Sequence, residues 1–331
     1  MLRVGLLGAG RIADVHAIAI SAHPASKLVA VSDFLPENAQ RLATKFGCEV
    51  RSNDEIIADP NIDAVLIATP TDTHSDLMEA ATAAGKAVLC EKPVDLSLTR
   101  ARACAVATAG NGQPIMLGFN RRFDPSFAAL KAAADAGEIG KSELLSITSF
   151  DPAPPPVSYV KTSGGLFRDM MIHDFDMANF IMGTPPVTVS AVGTSIVDPE
   201  IGLAGDVDTA VVTMTYADGR IAVIKNSRRA AYGYDQRLEL LGSEGMLQAQ
   251  NMLENLVVKS NASGVTGAKP TYFFLQRYMA AYKAEWDAFA TAVQGKTPMP
   301  VTLADGIAAL AMAEAATLSM KTGAPVRLDS V

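Results

Sequence analysis

Asp169, His173 and Asp176 are spaced i, i+4 and i+7 within Gly-Gly-Leu-Phe-Arg-Asp-Met-Met-Ile-His-Asp-Phe-Asp, residues 164–176. On a helix that spacing stacks two carboxylates and an imidazole on one face. Leu166, Phe167, Met170, Met171, Ile172, Phe175, Met177, Phe180 and Ile181 place apolar groups nearly all round the same cylinder. A helix apolar on every side is usually buried, so the polar stripe is predicted to lie away from bulk water. Buried carboxylates are costly unless partnered, and a reaction site is one common reason to keep them. Imidazole titrates near neutral pH, which suits His173 to proton transfer at such a site. A core helix whose polar stripe merely edges its domain is the plainer alternative.

The elements that position such chemistry start at the N-terminus. Val4-Gly5-Leu6-Leu7 is a short apolar run of the kind a doubly covered parallel strand shows. It runs into Gly8-Ala9-Gly10-Arg11-Ile12-Ala13 and then a helical pattern, Ile12, Val15, Ile18, Ala19. This is the dinucleotide fingerprint with Ala in the third place. Gly8 permits the tight turn, Gly10 lets backbone approach a pyrophosphate, and the amides at Arg11 and Ile12 open the helix toward it. A second strand, Leu28-Val29-Ala30-Val31, ends at Ser32-Asp33. A carboxylate there accepts hydrogen bonds from ribose hydroxyls and repels a 2′-phosphate. With no arginine next to Asp33 in the sequence, NAD is predicted over NADP.

The first part of the chain then repeats strand and helix. Helices are predicted over 37–46, 73–84 and 98–109, and strands over 64–68, 87–90 and 115–117. That order predicts an α/β fold with a doubly wound parallel sheet, in which ligands bind beyond the carboxyl ends of the strands. Two segments fall there, Thr69-Pro70-Thr71-Asp72-Thr73-His74 and Glu91-Lys92-Pro93. Thr69, Pro70, His74, Glu91 and Lys92 are therefore cofactor-side candidates, with Lys92 near the nicotinamide end.

Beyond residue 120 the character changes. One helix is predicted over 125–136, followed by strands over 144–150, 187–197, 209–216, 221–224 and 237–241. Thr209 to Tyr216 alternates its larger apolar groups, as in a half-covered antiparallel sheet, and Asp218-Gly219 is a hairpin turn. Helices follow over 272–293 and 303–320, while 259–270 is predicted to be an exposed loop. The Asp151-Pro-Ala-Pro-Pro-Pro156 run is a stiff loop rather than a ligand for another protein. The expected domains are 1–120, binding the dinucleotide, and 121–331, an α+β domain with a mostly antiparallel open sheet that binds substrate. The last helix is a candidate to pack back on the first domain.

Composition narrows the function classes. The 331 residues suffice for two domains, each with its own core. Lys and Arg total 28 against 35 Asp and Glu, a net charge of −7 with no basic run, which argues against nucleic acid. No apolar stretch of membrane-spanning length is expected, and the first residues read as fold rather than signal peptide. Cys48, Cys90 and Cys104 lack metal spacing and suit a reducing cytoplasm.

Gly8-Ala-Gly-Arg-Ile-Ala13, Glu91-Lys92-Pro93 and Gly165 through Asp169 to His173 resemble, in that order, the glucose–fructose oxidoreductase/inositol dehydrogenase family, over essentially the whole chain. Gly118-Phe-Asn-Arg-Arg-Phe-Asp124, the proline-rich loop, the 164–176 stretch and Tyr232-Gly-Tyr-Asp235 resemble its inositol 2-dehydrogenase branch. Asn120 departs from that branch, where a larger apolar residue often precedes the arginines. The resemblance implies a Rossmann domain, an α+β domain whose open sheet builds homodimers or homotetramers, and NAD as cofactor without a metal. It implies oxidation of a cyclic polyol at a secondary alcohol, myo-inositol to 2-keto-myo-inositol being the expected reaction. Lys92, Asp169 and His173 form the implied catalytic trio, with Arg121, Asp176 and Tyr234 as further substrate contacts. Dehydrogenation of another inositol or sugar, hydride-shuttling glycoside cleavage, and a non-catalytic NAD-binding regulator are the alternatives.

Overall fold

The glycine turn after the first apolar run joins β1 (Leu2–Leu7) to α1 (Arg11–Ala22), and the alternation continues from there. β2 (Ser26–Ser32) leads to α2 (Pro36–Phe46), β3 (Glu49–Val50) to α3 (Asn53–Ala58), and β4 (Ala64–Ile67) to α4 (His74–Ala83). β5 (Ala87–Glu91), α5 (Leu98–Ala109) and β6 (Ile115–Gly118) complete the series. The strands pair in parallel in the order β3-β2-β1-β4-β5-β6. This is the doubly wound order, which reverses where β1 lies beside β4 and opens a crevice at their carboxyl ends. β1, β4 and β5 are buried along nearly their whole length, which explains their unbroken apolar runs.

The computed structural model describes residues 1–331 as two units, 1–123 with 279–310, and 124–278 with 311–331. The second begins at α6 (Pro125–Asp135), whose N-cap Asp124 accepts from the Ser126 and Phe127 amides and pairs with Arg277. β7 (Ser142–Phe150), α7 (Val157–Ser163), α8 (Gly165–Asp169), α9 (Ile172–Met182), β8 (Thr188–Thr194) and α10 (Pro199–Leu203) follow. Next come β9 (Thr209–Thr215), β10 (Ile221–Ser227), β11 (Asp235–Gly242), β12 (Gly245–Ala249) and the small hairpin β13 (Val258–Asn261) and β14 (Gly264–Gly267). α11 (Phe274–Arg277), α12 (Met279–Val293), α13 (Leu303–Thr322) and β15 (Val326–Arg327) close the chain.

The second sheet has the order β12-β11-β7-β10-β9-β8-β15, and only β7 and β10 pair in parallel. One face is core: Leu145, Ile147, Ala210, Val212, Met214, Ala222, Ile224, Leu238 and Leu240 are all buried. The fold class is as expected, a Rossmann unit with an α+β unit. Three local readings change. The stretch 259–270 contains the β13–β14 hairpin rather than a structureless loop, although its residues are exposed as anticipated. The helix expected over 272–293 is broken at Tyr278 into α11 and α12. α13, 20 residues with a mean hydropathy of 1.3 across its apolar window, is long and apolar enough to cross a membrane, contrary to expectation. Half of that window is buried inside the protein.

Candidate active site

In the second unit, the helix expected over 164–176 is two helices. The Met171 amide bonds to the Leu166 carbonyl, five residues back, at 2.9 Å, and the Met170 amide shares that acceptor at 3.1 Å. The widened turn ends α8 at Asp169 and restarts the chain as α9 at Ile172. Asp169 therefore does not share a continuous helix with His173 and Asp176. Gly165, with φ +79°, leaves room for Asp206: a Cβ on Gly165 would lie 2.6 Å from Asp206 Oδ1. Both Asp206 oxygens accept from the Leu166 amide at 3.0 Å and so hold the start of α8.

Asp169 accepts from the Tyr159 hydroxyl at 3.0 Å and faces Arg228 Nη2 at 3.7 Å. Arg228 is buried and lies 3.9 Å from Asp206 as well, so one guanidinium stands between two carboxylates. Burial pushes the Asp206 carboxyl above its ordinary range, against the pull of the Leu166 and Val207 amides and of Arg228. His173, in the first turn of α9, is half-buried, and Asp176 is buried. Asp174 between them has an architectural role. It is fully buried and accepts from Ser149 Oγ at 2.6 Å and Asn226 Nδ2 at 2.8 Å, tying α9 to β7 and β10. Tyr159, Asp206 and Arg228 carry no signal in the sequence, because contacts ten or more residues apart leave no helical spacing signature.

The motif Tyr232-Gly-Tyr-Asp235 divides its side chains. Tyr234 is buried, its ring edge-on to Tyr278 at 6.0 Å and 89°. Tyr232 instead donates to Asp235 at 2.5 Å, beside Arg237 in an open surface groove. Burial, then the Asp235 hydrogen bond, pushes the Tyr232 phenol up to about 12.

In the first unit, the glycine turn fits a dinucleotide. Gly8 has φ +96°, and a Cβ there would lie 2.5 Å from the Ala68 carbonyl oxygen, so β1 and β4 close on each other only around glycine. At Gly10 a Cβ would meet nothing within 4 Å. Gly10 is the N-cap of α1 and has no side chain to cap it, so nothing from the cap residue stands between the helix start and a pyrophosphate. Asp33 follows β2 and accepts from the Ala9 amide at 2.6 Å and the Leu35 amide at 2.8 Å. An arginine does lie near it in space, which the local sequence concealed. Arg41 donates to the Ala9 carbonyl at 3.0 Å and pairs with Asp14 at 2.7 Å. Phe34, 96% exposed, stands next to Asp33.

At the carboxyl ends of β4 and β5 the remaining candidates take different positions. Thr69 is half-buried, hydroxyl to hydroxyl with Thr73 at 2.7 Å, and Pro70 is exposed. His74 is buried with Nδ1 2.8 Å from the Pro93 carbonyl and Nε2 3.0 Å from the Thr69 carbonyl, so its ring joins the two segments. Lys92 is half-buried and precedes a cis peptide to Pro93. Glu91 turns inward, its carboxylate 2.7 Å from His16 Nε2. Arg121 is buried in the turn after β6, and Arg11 is exposed. No three His, Cys, Asp or Glu side chains group as metal ligands would.

Residues 2–119 match the description of an oxidoreductase family with an NAD-binding Rossmann fold, and residues 127–248 match the GFO/IDH/MocA C-terminal domain. The chain is 49% identical to inositol 2-dehydrogenase of Rhizobium meliloti across 96% of this chain and 97% of that one. The crystal structure of a myo-inositol dehydrogenase from Corynebacterium glutamicum superposes with a TM-score of 0.95 at 46% identity, covering 99% of each chain. That of scyllo-inositol dehydrogenase from Lactobacillus casei, with bound NAD(H) and scyllo-inositol, gives 0.93 at 31% identity, again covering 99% of each chain. With both of its parts matched, this chain belongs to the GFO/IDH/MocA family of NAD-binding oxidoreductases.

Proposed function

We propose that this enzyme oxidises a ring secondary alcohol of an inositol to the ketone, with myo-inositol as substrate and 2-keto-myo-inositol as product. The observation that carries this reading is the likeness, nearly end to end at 49% identity, to a protein named inositol 2-dehydrogenase. Bound NAD supplies the acceptor for the hydride that leaves the ring carbon. The turn at Gly8 and Gly10 with the amides of Arg11 and Ile12 would hold its pyrophosphate, Asp33 its adenosine ribose, and the Thr69-Pro70 segment with Lys92 its nicotinamide side.

The chain's own groups then handle the proton and the charge. His173 takes the hydroxyl proton at a ring nitrogen while the Lys92 ammonium stabilises the developing alkoxide. Asp169, held by Tyr159 and Arg228, orients the hydroxyl and the imidazole. Asp176, Arg121 and Tyr234 hydrogen-bond the other ring hydroxyls, the contacts by which a crowded neutral polyol is recognised. Scyllo-inositol is the second reading, favoured by the likeness to the Lactobacillus casei enzyme that holds it. Absorbance of NADH with a panel of inositols and hexoses separates the two. The highest kcat/KM is expected for myo-inositol, and a hexose that outpaces every inositol would overturn the assignment.

A homodimer or homotetramer is proposed on the second sheet's other face. Leu144, Val192, Val211, Ile221, Leu241 and Met246 are all exposed there, and the strand register sets them in neighbouring rows. Covering such a face removes apolar area from water. A cytoplasmic location accords with three cysteines that remain unpaired.

A further inference from the structure

Behind Lys92 lies a buried polar cluster to which the reaction assigns no part. His16, on α1 one turn beyond the glycine fingerprint, is fully buried, and its Nε2 is 2.7 Å from Glu91 Oε1. Glu91 is the last residue of β5, and its other oxygen accepts from the backbone amide of Lys92 at 3.3 Å. The pair is packed from three sides. Tyr282 of α12 sets its ring against the His16 imidazole at 5.3 Å and 81°. Gly118 of β6, in register with Glu91, would bring a Cβ within 3.2 Å of the Glu91 Cα and Cδ. Glu285, also on α12 and fully buried, makes no hydrogen bond and adds a second carboxyl to the surroundings. Burial alone would raise the Glu91 carboxyl, but the hydrogen bond and charge of His16, with Lys92 behind them, hold it below its ordinary range. An ionised carboxylate can only accept, so in that state His16 Nε2–H is the donor to Glu91.

A buried ion or hydrogen-bonded pair is a weak source of stability compared with apolar packing of the same volume, so its use here needs another reason. The geometry supplies one. The pair connects the helix whose N-terminus faces the pyrophosphate position to the strand end that carries Lys92. We propose that His16 is a positioning residue for Lys92, acting through the Glu91 carboxylate to fix the lysine's backbone relative to the cofactor-binding helix. This inference rests on the assignment of Lys92 to the reaction. An error of position of about 1 Å costs on the order of 10²-fold in rate, so a loosened Lys92 shows in kcat.

The test is a double-mutant cycle on the full-length enzyme, with turnover, polyol KM, NAD affinity by fluorescence titration and melting temperature measured for each variant. His16→Leu removes the donor and retains bulk, whereas His16→Gln restores a nitrogen donor near the Nε2 position. Glu91→Gln is the substitute measurement should His16→Leu fail to fold. We expect His16→Leu to lower kcat about 10- to 100-fold with polyol KM and NAD affinity within about threefold. His16→Gln should recover most of that loss, and His16→Leu should cost little more in a Lys92→Ala background. Equal losses with and without Lys92, or a loss that tracks melting temperature and is not recovered by Gln, would make the pair structural and overturn the inference. Normal turnover in Lys92→Ala would overturn the assignment of Lys92 itself, and the inference with it.

Discussion

Residue types carry most of the chemistry here, and each assigned role can be removed singly. Lys92→Ala and His173→Ala are expected to lower kcat by roughly 10²-fold or more, as for loss of a group that acts on the transferred proton or its charge. NAD affinity should survive His173→Ala, since His173 belongs to the second unit and the glycine turn to the first. Asp169→Asn keeps the shape and the Tyr159 contact but cancels the charge facing Arg228, so kcat/KM should fall with little change in melting temperature. Steady-state kinetics beside thermal melts decide this. A destabilised Asp169→Asn with normal kinetics would make Asp169 an architectural acid like Asp174. Cofactor choice also turns on single residues. Asp33 would repel a 2′-phosphate, while Arg41, held by the Ala9 carbonyl and Asp14 and attracted by the charge of Asp33, is the cation that would pair with one. Asp33→Ser should therefore raise kcat/KM with NADP and lower it with NAD, and an unchanged ratio of the two would contradict the role given to Asp33.

At the scale of elements, some features were legible in the sequence for a physical reason and others were hidden for one. Strands buried on both faces must be apolar throughout, so β1, β4 and β5 stood out, as did the glycine turn whose close approach to Ala68 admits no side chain. β3 is short and exposed and β12 mostly so, which leaves no hydrophobic pattern to read. The division between α8 and α9 was invisible because helical spacing continues through it, and the departure consists of one hydrogen bond reaching five residues back. The stripe of Asp169, His173 and Asp176 was thus readable as a set of groups, but not as one helix face. Arg41, Tyr159, Asp206 and Arg228 are partners across the chain, and only the fold reveals them. α12 carries an element-scale consequence of burial. Burial, with the Glu91 charge second, pushes the Glu285 carboxyl well above its ordinary range. A raised carboxyl contributes stability below the unfolded value of about 4.3, and that contribution is lost as pH rises toward the folded value. Glu285→Gln, neutral throughout, should raise the melting temperature more at pH 8 than at pH 5, at about 2–4 °C per kcal/mol recovered. Equal shifts at both pH values would mean that Glu285 is not held protonated.

The chain comprises a Rossmann unit, which carries Lys92, and an α+β unit, which carries Asp169 and His173. The second sheet contributes a face as well as a core. If that face joins copies of the chain, Val211→Glu with Ile221→Glu should shift the protein from dimer or tetramer toward monomer in light scattering, without unfolding it. An unchanged mass would place the interface elsewhere. Hydride removal from an inositol ring carbon can be followed with myo-inositol deuterated at its 2-position, by tracing the label into the reduced cofactor with mass spectrometry. NADH carrying one deuterium is expected, formed together with the 2-keto product. Reduced cofactor without label, or no reduction of NAD by any inositol, would contradict it.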